Sequence, residues 1–230
     1  MRRVAIVPAR GGSKRIPRKN IRLFLGTPML GRLIAKLKAM KFFDLIVVTT
    51  DDETISAVAS DYDADVIIPR PTSLSNDHIP TQPVIQHAIR ELLLHPCCYV
   101  FCIYPCNPLL KRIRLNQCLD QILPDQQIFS FPVLKYRHPI QRAFQKNDKT
   151  HELLLINPSF ALSRTQDLES RYHDAGSFYV ATAKTWLSNS RIHQNARGVE
   201  VSPFEAIDID SEADWLLAEQ LATIQDKHYD

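Results

Sequence analysis

A short loop near the start of the chain combines glycine with positive charge. Residues 9–20 contain the adjacent pair Gly11 and Gly12 together with five lysines and arginines, and they follow an apolar run at residues 3–8. Glycine lets the backbone approach phosphate oxygens and turn its amides toward them, and the cations neutralise the phosphate charge. The loop is therefore typical of a triphosphate site. The alternative is a solvated basic loop that merely follows a strand.

The spacing of the two glycines separates this loop from two common nucleotide motifs. It matches neither G-x-x-x-x-G-K-[ST] nor G-x-G-x-x-G. A P-loop ATPase and a dinucleotide-dependent dehydrogenase are both disfavoured.

A pair of carboxylates lies near the other end of the chain. Asp208 and Asp210 flank Ile209 in an otherwise apolar segment, so in an extended backbone both point to the same side. Two such oxygen donors suit Mg²⁺ when substrate phosphates and water supply the other ligands. In the alternative interpretation Asp210 caps the final helix and Asp208 pairs with a surface cation. Together with the basic loop, the pair points to phosphoryl or nucleotidyl transfer.

Charge and hydropathy narrow the class of partner. The net charge is only +3 over 230 residues, and several of the cations lie in one loop. This favours a small anionic ligand over a nucleic-acid surface. No apolar run has membrane-spanning length, and the N-terminus lacks the apolar segment of a signal peptide. We expect no membrane association and a cytoplasmic location.

The cysteines indicate a reduced protein. Five lie between residues 97 and 118, an odd number without C-x-x-C pairs or a companion histidine cluster. This fits neither a disulfide framework nor a zinc site. The even spacing of Cys98, Cys102 and Cys106 predicts one buried face of a strand.

Alternating strand and helix patterns predict the elements that position these groups. Strands are expected at residues 3–8, 45–50, 66–68, 99–104, 128–133 and 176–181, and helices at about 28–37, 53–59, 80–94, 113–123 and 211–224. This order is typical of a Rossmann-like, doubly wound, mostly parallel α/β sheet of the nucleotidyltransferase type. Its ligand would lie at the carboxyl ends of the strands, where the basic loop falls.

The pattern weakens at about residues 136–172. The apolar stretches there are short and are interrupted by His138-Pro139 and Asn157-Pro158. We interpret this segment as an insertion or extension of a single domain that spans residues 1–230. Such a piece often covers a ligand or contacts a second subunit.

Four motifs resemble the acylneuraminate cytidylyltransferase family, which activates nonulosonic acids. The first motif, residues 10–15 with Pro17, Lys19 and Asn20, is similar to the family's signature loop. The others occur in the family's order and spacing: Thr49-Thr50-Asp51-Asp52, Arg70-Pro71 with Leu74-Ser75-Asn76-Asp77, and Ile207-Asp208-Ile209-Asp210 with Asp214.

The resemblance implies a reaction and a set of site residues. CTP and a nine-carbon sugar acid would give a CMP-sugar and pyrophosphate with Mg²⁺, in a homodimer. Arg10, Lys19, Asp208 and Asp210 would be catalytic, and the two aspartates would hold the metal. The nucleotide would be bound by Ala9, Arg10, Gly11, Gly12, Ser13, Lys14, Lys19, Asn20, Arg70 and Asp77.

Two departures bear on the sugar. Sialic acid enzymes usually have Gln-Pro-Thr-Ser-Pro-Leu-Arg where this chain has Tyr-Pro-Cys-Asn-Pro-Leu-Leu at residues 104–110, and an Asn-Gly pair where this chain has Ala175-Gly176. The sequence is most similar to the branch that acts on pseudaminic acid. Cations and amides of the middle segment suit an acidic, amide-bearing sugar. The expected sugar-binding residues are Gln141, Arg142, Arg164, Gln166, Asp167, His173, Asp174 and Gly176.

Several alternatives stay open at this point. The sugar could be a sialic, legionaminic or 3-deoxy-manno-octulosonic acid. Outside this family, a metal-dependent glycosyltransferase or a non-catalytic nucleotide-binding regulator would also use the two clusters. The synthetase interpretation requires the basic loop and the carboxylate pair to converge in space.

Overall fold

A mostly parallel β-sheet forms the centre of the molecule. The computed structural model describes residues 1–76, 78–123, 125–188 and 191–227. The strands of this described part are β1 (Arg3–Pro8), β2 (Leu23–Phe24), β3 (Thr27–Pro28), β4 (Leu45–Thr50), β5 (Val66–Pro69), β6 (Tyr99–Ile103), β7 (Phe129–Lys135), β8 (Phe144–Lys146), β9 (Leu153–Leu155), β10 (Tyr172–Asp174), β11 (Phe178–Thr182) and β12 (Ala196–Glu200).

The main sheet runs β5-β4-β1-β6-β11-β7-β12. Its neighbours pair in parallel except β11, which is antiparallel to both β6 and β7. The short strand β10 is antiparallel to β7. Val133 of β7 pairs with β10 on one side and with β12 on the other, so β10 lies on the same side of β7 as β11. Outside the sheet, β2 pairs with β3 and β8 with β9.

Helices cover both faces of this sheet. They are α1 (Met29–Ala39), α2 (Glu53–Asp61), α3 (Thr81–Glu91), α4 (Arg112–Leu119), α5 (Ala183–Leu187) and α6 (Glu212–Lys227). In β1, Ala5 and Val7 pack against α1, while Val4 and Ile6 face the cluster of α3 and α5. Successive residues of a strand point to opposite faces, so an apolar run is what a strand covered on both sides requires. The predicted doubly wound α/β fold is confirmed.

The last helix ties the two ends of the chain together. Trp215 of α6 is buried with Ile16 from the basic loop and Ile209 from the segment before the helix. Its ring meets Phe24 edge-on, with the ring centroids 5.5 Å apart. Ser211 and Asp214 form the predicted capping box, in which each side chain accepts a hydrogen bond from the other residue's backbone N–H.

The structure departs from the sequence prediction at several places. Strands β10 and β12 and helix α5 were not predicted, and α4 ends at Leu119 rather than at Leu123. The residues around Asp208 lie outside any strand. Cys98 and Cys102 are buried as expected, but Cys106 lies beyond the end of β6 and is only partly buried. Even spacing placed Cys106 on the buried face only if the strand continued through Pro105, which it does not.

The segment at residues 136–172 has little core of its own. It contains the β8–β9 hairpin and three single-turn 3₁₀ helices. Several of its apolar side chains are exposed, among them Phe144, Leu153, Leu154, Ile156 and Leu162. In the part of the chain that the structure describes, no helix has both the length and the hydropathy to cross a bilayer.

Candidate active site

A cavity of about 370 Å³ opens at the carboxyl edge of the sheet. Pro8 ends β1, Arg70 follows β5, and Tyr104 follows β6, and all three contribute to its wall. Ligands of open α/β sheets bind at this edge. The other lining residues are Arg10, Ser13, Lys14, Arg15, Ile16, Lys19, Asn20, Leu74, Asn76, Ile79, Thr81, Val84, Pro105, Cys106, Gly176, Asp208 and Asp210.

Internal hydrogen bonds give the basic loop its shape. Asn20 is buried, and its Nδ2 donates to the carbonyl oxygen of Arg10 over 2.9 Å, so both ends of the loop are tied together. The N–H of Gly11 donates to Asp51 Oδ1 over 3.2 Å. The N-cap of α2 is the next residue, Asp52, which accepts from Ile55 N. Asp51 instead anchors the loop.

The carboxylate pair lies against this loop, although about 190 residues separate the two in sequence. Arg15 Nη1 donates to Asp210 Oδ2 over 2.5 Å. Lys19 Nζ donates to the carbonyl oxygen of Ile209 over 2.6 Å and lies 3.6 Å from Asp210 Oδ1. Four of the five cations of the loop and both carboxylates therefore line one cavity. The predicted nucleotide residues Ala9, Gly11 and Gly12 do not line it.

Alternation explains how the sequence achieves this contact. Ile209 is buried beside Trp215, and its neighbours Asp208 and Asp210 line the cavity. Burial raises the pKa of Asp208 above its ordinary value, and the nearby Asp210 carboxylate raises it further. Arg15 and Lys19 lower this pKa without cancelling the rise, so a further cation would stabilise the charged form of Asp208.

The donor set is suited to a metal that is shared with a substrate. Among residues 1–76, 78–123, 125–188 and 191–227, no group of three or more His, Cys, Asp or Glu could hold a metal ion alone. Mg²⁺ commonly takes one or two carboxylates and completes its shell with phosphate oxygens and water. Asp208 and Asp210 fit that requirement.

Arg70 forms a second cationic point of the wall. It is only 8% exposed, and its Nη2 donates to the carbonyl oxygen of Thr49 over 2.7 Å. Its Nε has no hydrogen-bond partner among the described residues. Arg70 lines the cavity, so its guanidinium contributes positive charge to this part of the wall. The other nucleotide residue predicted beside it, Asp77, lies outside the described residues.

Most of the predicted sugar-binding residues lie away from this cavity; of these eight only Gly176 lines it. Within the extension, Gln141 donates to the Glu169 carbonyl, Arg142 to Ser163 and Thr165, and Arg164 to Asp167. Gln166 is exposed, and the ring of His173 contacts that of Tyr136 at a tilt of 55°, with the ring centroids 4.8 Å apart. Asp174 bonds to groups of its own chain. Within one chain, Arg142 and residues 163–167 contact one another but do not line the cavity.

Other cavity residues were not selected from the sequence. Tyr104, Thr81, Cys106 and Asn76 all line the wall. Tyr104 and Cys106 follow the end of β6, so the rule that ligands bind beyond strand ends could have found them. The Cys106 thiol has its pKa raised to about 12 by burial, so it stays protonated and lies 3.7 Å from Asn20 Oδ1.

Comparison with known proteins identifies the family. The family model "Cytidylyltransferase" matches residues 4–222. The chain belongs to this family of nucleotidyltransferases. A pseudaminic acid cytidylyltransferase from Campylobacter jejuni subsp. jejuni serotype O:2 is 39% identical over 214 residues, which are 92% of each chain. A CMP-N,N'-diacetyllegionaminic acid synthase from Legionella pneumophila is 30% identical and covers 96% of each chain.

Solved structures support the fold of this cytidylyltransferase. A CMP:2-keto-3-deoxy-manno-octonic acid synthetase complexed with CTP superposes with a TM-score of 0.68. The match covers 99% of this chain and 100% of that one at 16% identity. At that identity the comparison shows a shared architecture.

Proposed function

We propose that this cytidylyltransferase transfers CMP from CTP to the anomeric hydroxyl of pseudaminic acid and releases pyrophosphate, with Mg²⁺. The observation that carries the proposal is the contact of the basic loop with the carboxylate pair in one cavity. The choice of sugar is supported by the 39% identical Campylobacter relative of that name. A cytoplasmic location, expected from the sequence, stays a prediction.

In this proposal the two walls of the cavity have different tasks. Arg10, Lys14 and Lys19, which line the cavity, hold the triphosphate. Lys19 and Arg10 offset the charge that develops as the sugar oxygen bonds to the α-phosphorus and the bond to pyrophosphate breaks. Asn20 and Asp51 fix the loop beforehand, so little reorganisation is needed during the reaction.

Asp208 and Asp210 would hold the metal and approach the sugar hydroxyl. When bound, Mg²⁺ neutralises phosphate charge and orients the reacting groups. Because both carboxylates line the cavity, either is placed to accept the hydroxyl proton.

We also propose a homodimer that is formed through the extension. The support is the exposed apolar surface of residues 136–172, where Leu162 is 97% exposed and Leu154 is 68% exposed. Exposed apolar patches of this kind mark interaction surfaces. Because the predicted sugar residues of the extension lie off their own cavity, we expect them to reach the sugar across this interface.

The direct test is a substrate panel. The purified protein is incubated with Mg²⁺ and CTP together with pseudaminic, N-acetylneuraminic, legionaminic or 3-deoxy-manno-octulosonic acid, and pyrophosphate is measured. We expect the highest kcat/KM with pseudaminic acid. A preference for another acid would correct the sugar alone. CTP binding without turnover on every acid would favour a regulator, and consumption of a nucleotide sugar without CTP would favour a glycosyltransferase.

A further inference from the structure

An irregular turn interrupts the edge of the sheet next to the carboxylate pair. Asp174 pairs with Val133, and Val180 pairs with Ser130. The six residue steps from Asp174 to Val180 therefore lie opposite only three residue steps of β7. The extra residues leave β7 and contact the segment after β6, where Tyr104 N donates to the Ser177 carbonyl over 3.1 Å. Bulges of this kind re-aim a strand and often adjoin active sites.

The Asp174 side chain holds this turn from inside. Its Oδ1 accepts from Gly176 N over 2.8 Å. Its Oδ2 accepts from the Tyr179 hydroxyl over 2.8 Å and pairs with His193 Nε2 at 2.7 Å. Three groups of this chain therefore share one carboxylate, which leaves it little capacity for a sugar.

The turn that Asp174 holds lies directly against Asp208. Gly176 has a φ of +62°, and a Cβ placed on it would lie 3.1 Å from Asp208 Cγ. Only glycine combines this backbone conformation with so close an approach at no steric cost. Movement of the turn would therefore move the surface on which the Asp208 carboxylate rests.

Aromatic packing keeps the partners of Asp174 in place. Phe131 meets both Tyr179 and His193 edge-on, with ring centroids 5.4 Å apart in each case. Tyr179 also packs edge-on against the cavity residue Tyr104. Burial raises the pKa of Tyr179 well above its ordinary value, so its hydroxyl keeps the proton that it donates.

We propose that Asp174 is a positioning residue, which fixes the Gly176 turn against Asp208 through its bonds to Gly176, Tyr179 and His193. This replaces the sequence-based expectation that Asp174 binds the sugar directly. His193, which the sequence did not single out, is the second member of this device. The inference rests on the proposed function for its kinetic consequences but not for the order of the turn itself.

The test compares Asp174→Ala with Asp174→Asn in the full chain. Alanine removes all three bonds, whereas the asparagine oxygen still accepts from Gly176 N and its amide can donate to the Tyr179 oxygen. We expect Asp174→Ala to lower kcat by about 10–100-fold, because small misplacements at a reacting centre cost that much. Asp174→Asn should recover kcat to within about threefold of wild type.

Binding and exchange measurements separate positioning from binding. The Kd for CTP and the KM for the sugar acid should stay within about twofold of wild type in Asp174→Ala, because neither the basic loop nor the extension changes. Backbone amides at residues 175–179 should exchange with deuterium faster in Asp174→Ala and at the wild-type rate in Asp174→Asn. Glu91→Ala removes an exposed carboxylate that pairs only with His87 in the described ion pairs and serves as the matched control.

Three results would overturn the inference. One is an unchanged kcat in folded Asp174→Ala, and another is a loss confined to the KM for the sugar acid, which would make Asp174 a sugar ligand. The third is unaltered amide exchange in the turn. Absence of wild-type turnover on the whole panel would refute the proposed function instead, and the exchange data would still decide whether Asp174 orders the turn.

If Asp174→Ala does not fold, variants of its individual hydrogen-bond partners provide the test. His193→Ala and Tyr179→Phe each remove one of the three partners and leave the carboxylate in place. Each should lower kcat by about three- to tenfold and speed exchange at residues 175–179. Wild-type kcat and exchange in both variants would refute the positioning role.

Discussion

The nucleotide side of the proposed site and the extension are built in opposite ways. On the nucleotide side, a buried cluster around Trp215 and direct contacts from Arg15 and Lys19 to Asp210 hold distant segments together within one chain. In the extension, the polar residues bond to one another, and the apolar ones face solvent.

This difference matches two different chemical requirements. Charge that develops on a phosphoryl group is stabilised best by groups fixed before the reaction begins, because they need no reorganisation. Selection among sugar acids depends on loop contacts that can vary while the scaffold stays constant. In the proposed homodimer, the nucleotide side would be complete in one chain and the extension would be completed by the second copy.

The largest effect is expected from breaking the core of the nucleotide side. Trp215→Ala should lower the free energy of unfolding by about 3–5 kcal/mol, because it leaves a cavity between α6, Ile16 and Ile209. CTP binding should weaken as well, although Trp215 does not line the cavity. Urea unfolding checks the first point, and calorimetric titration checks the second. Leu216→Ala alters an exposed neighbour and is the control; an equal loss in both variants would contradict the account.

Removing a carboxylate should come next. Asp208→Ala or Asp210→Ala is expected to lower kcat by about 10²–10³-fold, since each removes a fixed charge from the reacting centre. Steady-state kinetics with CTP and the preferred acid measure this, and circular dichroism verifies the fold. Asp61→Ala, an exposed aspartate at the end of α2, should behave as wild type. Near-normal turnover without either carboxylate would remove the pair from the site.

A change in the extension should separate the two sides. Leu154→Lys places a charge on its exposed apolar surface, so sedimentation should show a shift from dimer to monomer. The KM for the sugar acid should rise about tenfold while the Kd for CTP stays within about twofold, because the nucleotide side is untouched. Leu93→Lys changes an exposed leucine elsewhere and is the control. Parallel loss of CTP binding would mean that the two sides are not independent.

The smallest effect should distinguish the two loop glycines. A Cβ on Gly11 would lie 2.6 Å from Asp52 Oδ2, whereas a Cβ on Gly12 would meet nothing within 4 Å. Gly11→Ala should therefore lower the free energy of unfolding by about 1–3 kcal/mol, and Gly12→Ala by less than about 0.5 kcal/mol. Thermal unfolding of both variants tests this ranking. Equal stabilities of the two variants would show that the Asp52 side chain moves away from the new Cβ without loss of stability.

The sequence predicts what depends on local pattern. Apolar runs gave the central strands, and the alternation Asp208-Ile209-Asp210 anticipated one buried side chain between two carboxylates. Strand β12 was not predicted because two of the five residues in Ala-Arg-Gly-Val-Glu are charged and none is fully buried, so the segment has no apolar run. The hydrogen bonds of Asp174 were not predicted either. Its partner His193 lies in a loop after α5, and no sequence periodicity relates His193 to Asp174. Long-range contacts that rest on single side chains leave no local pattern to follow.

The most direct test is calorimetric titration of CTP with and without Mg²⁺. It shows whether the basic loop and the carboxylate pair bind the same Mg²⁺–CTP complex. In wild type, Mg²⁺ should tighten CTP binding. In Asp208→Ala this gain should disappear, while metal-free CTP still binds through the intact basic loop. The same gain from Mg²⁺ in wild type and in Asp208→Ala would contradict the account, because the carboxylates would then not share a metal with the nucleotide.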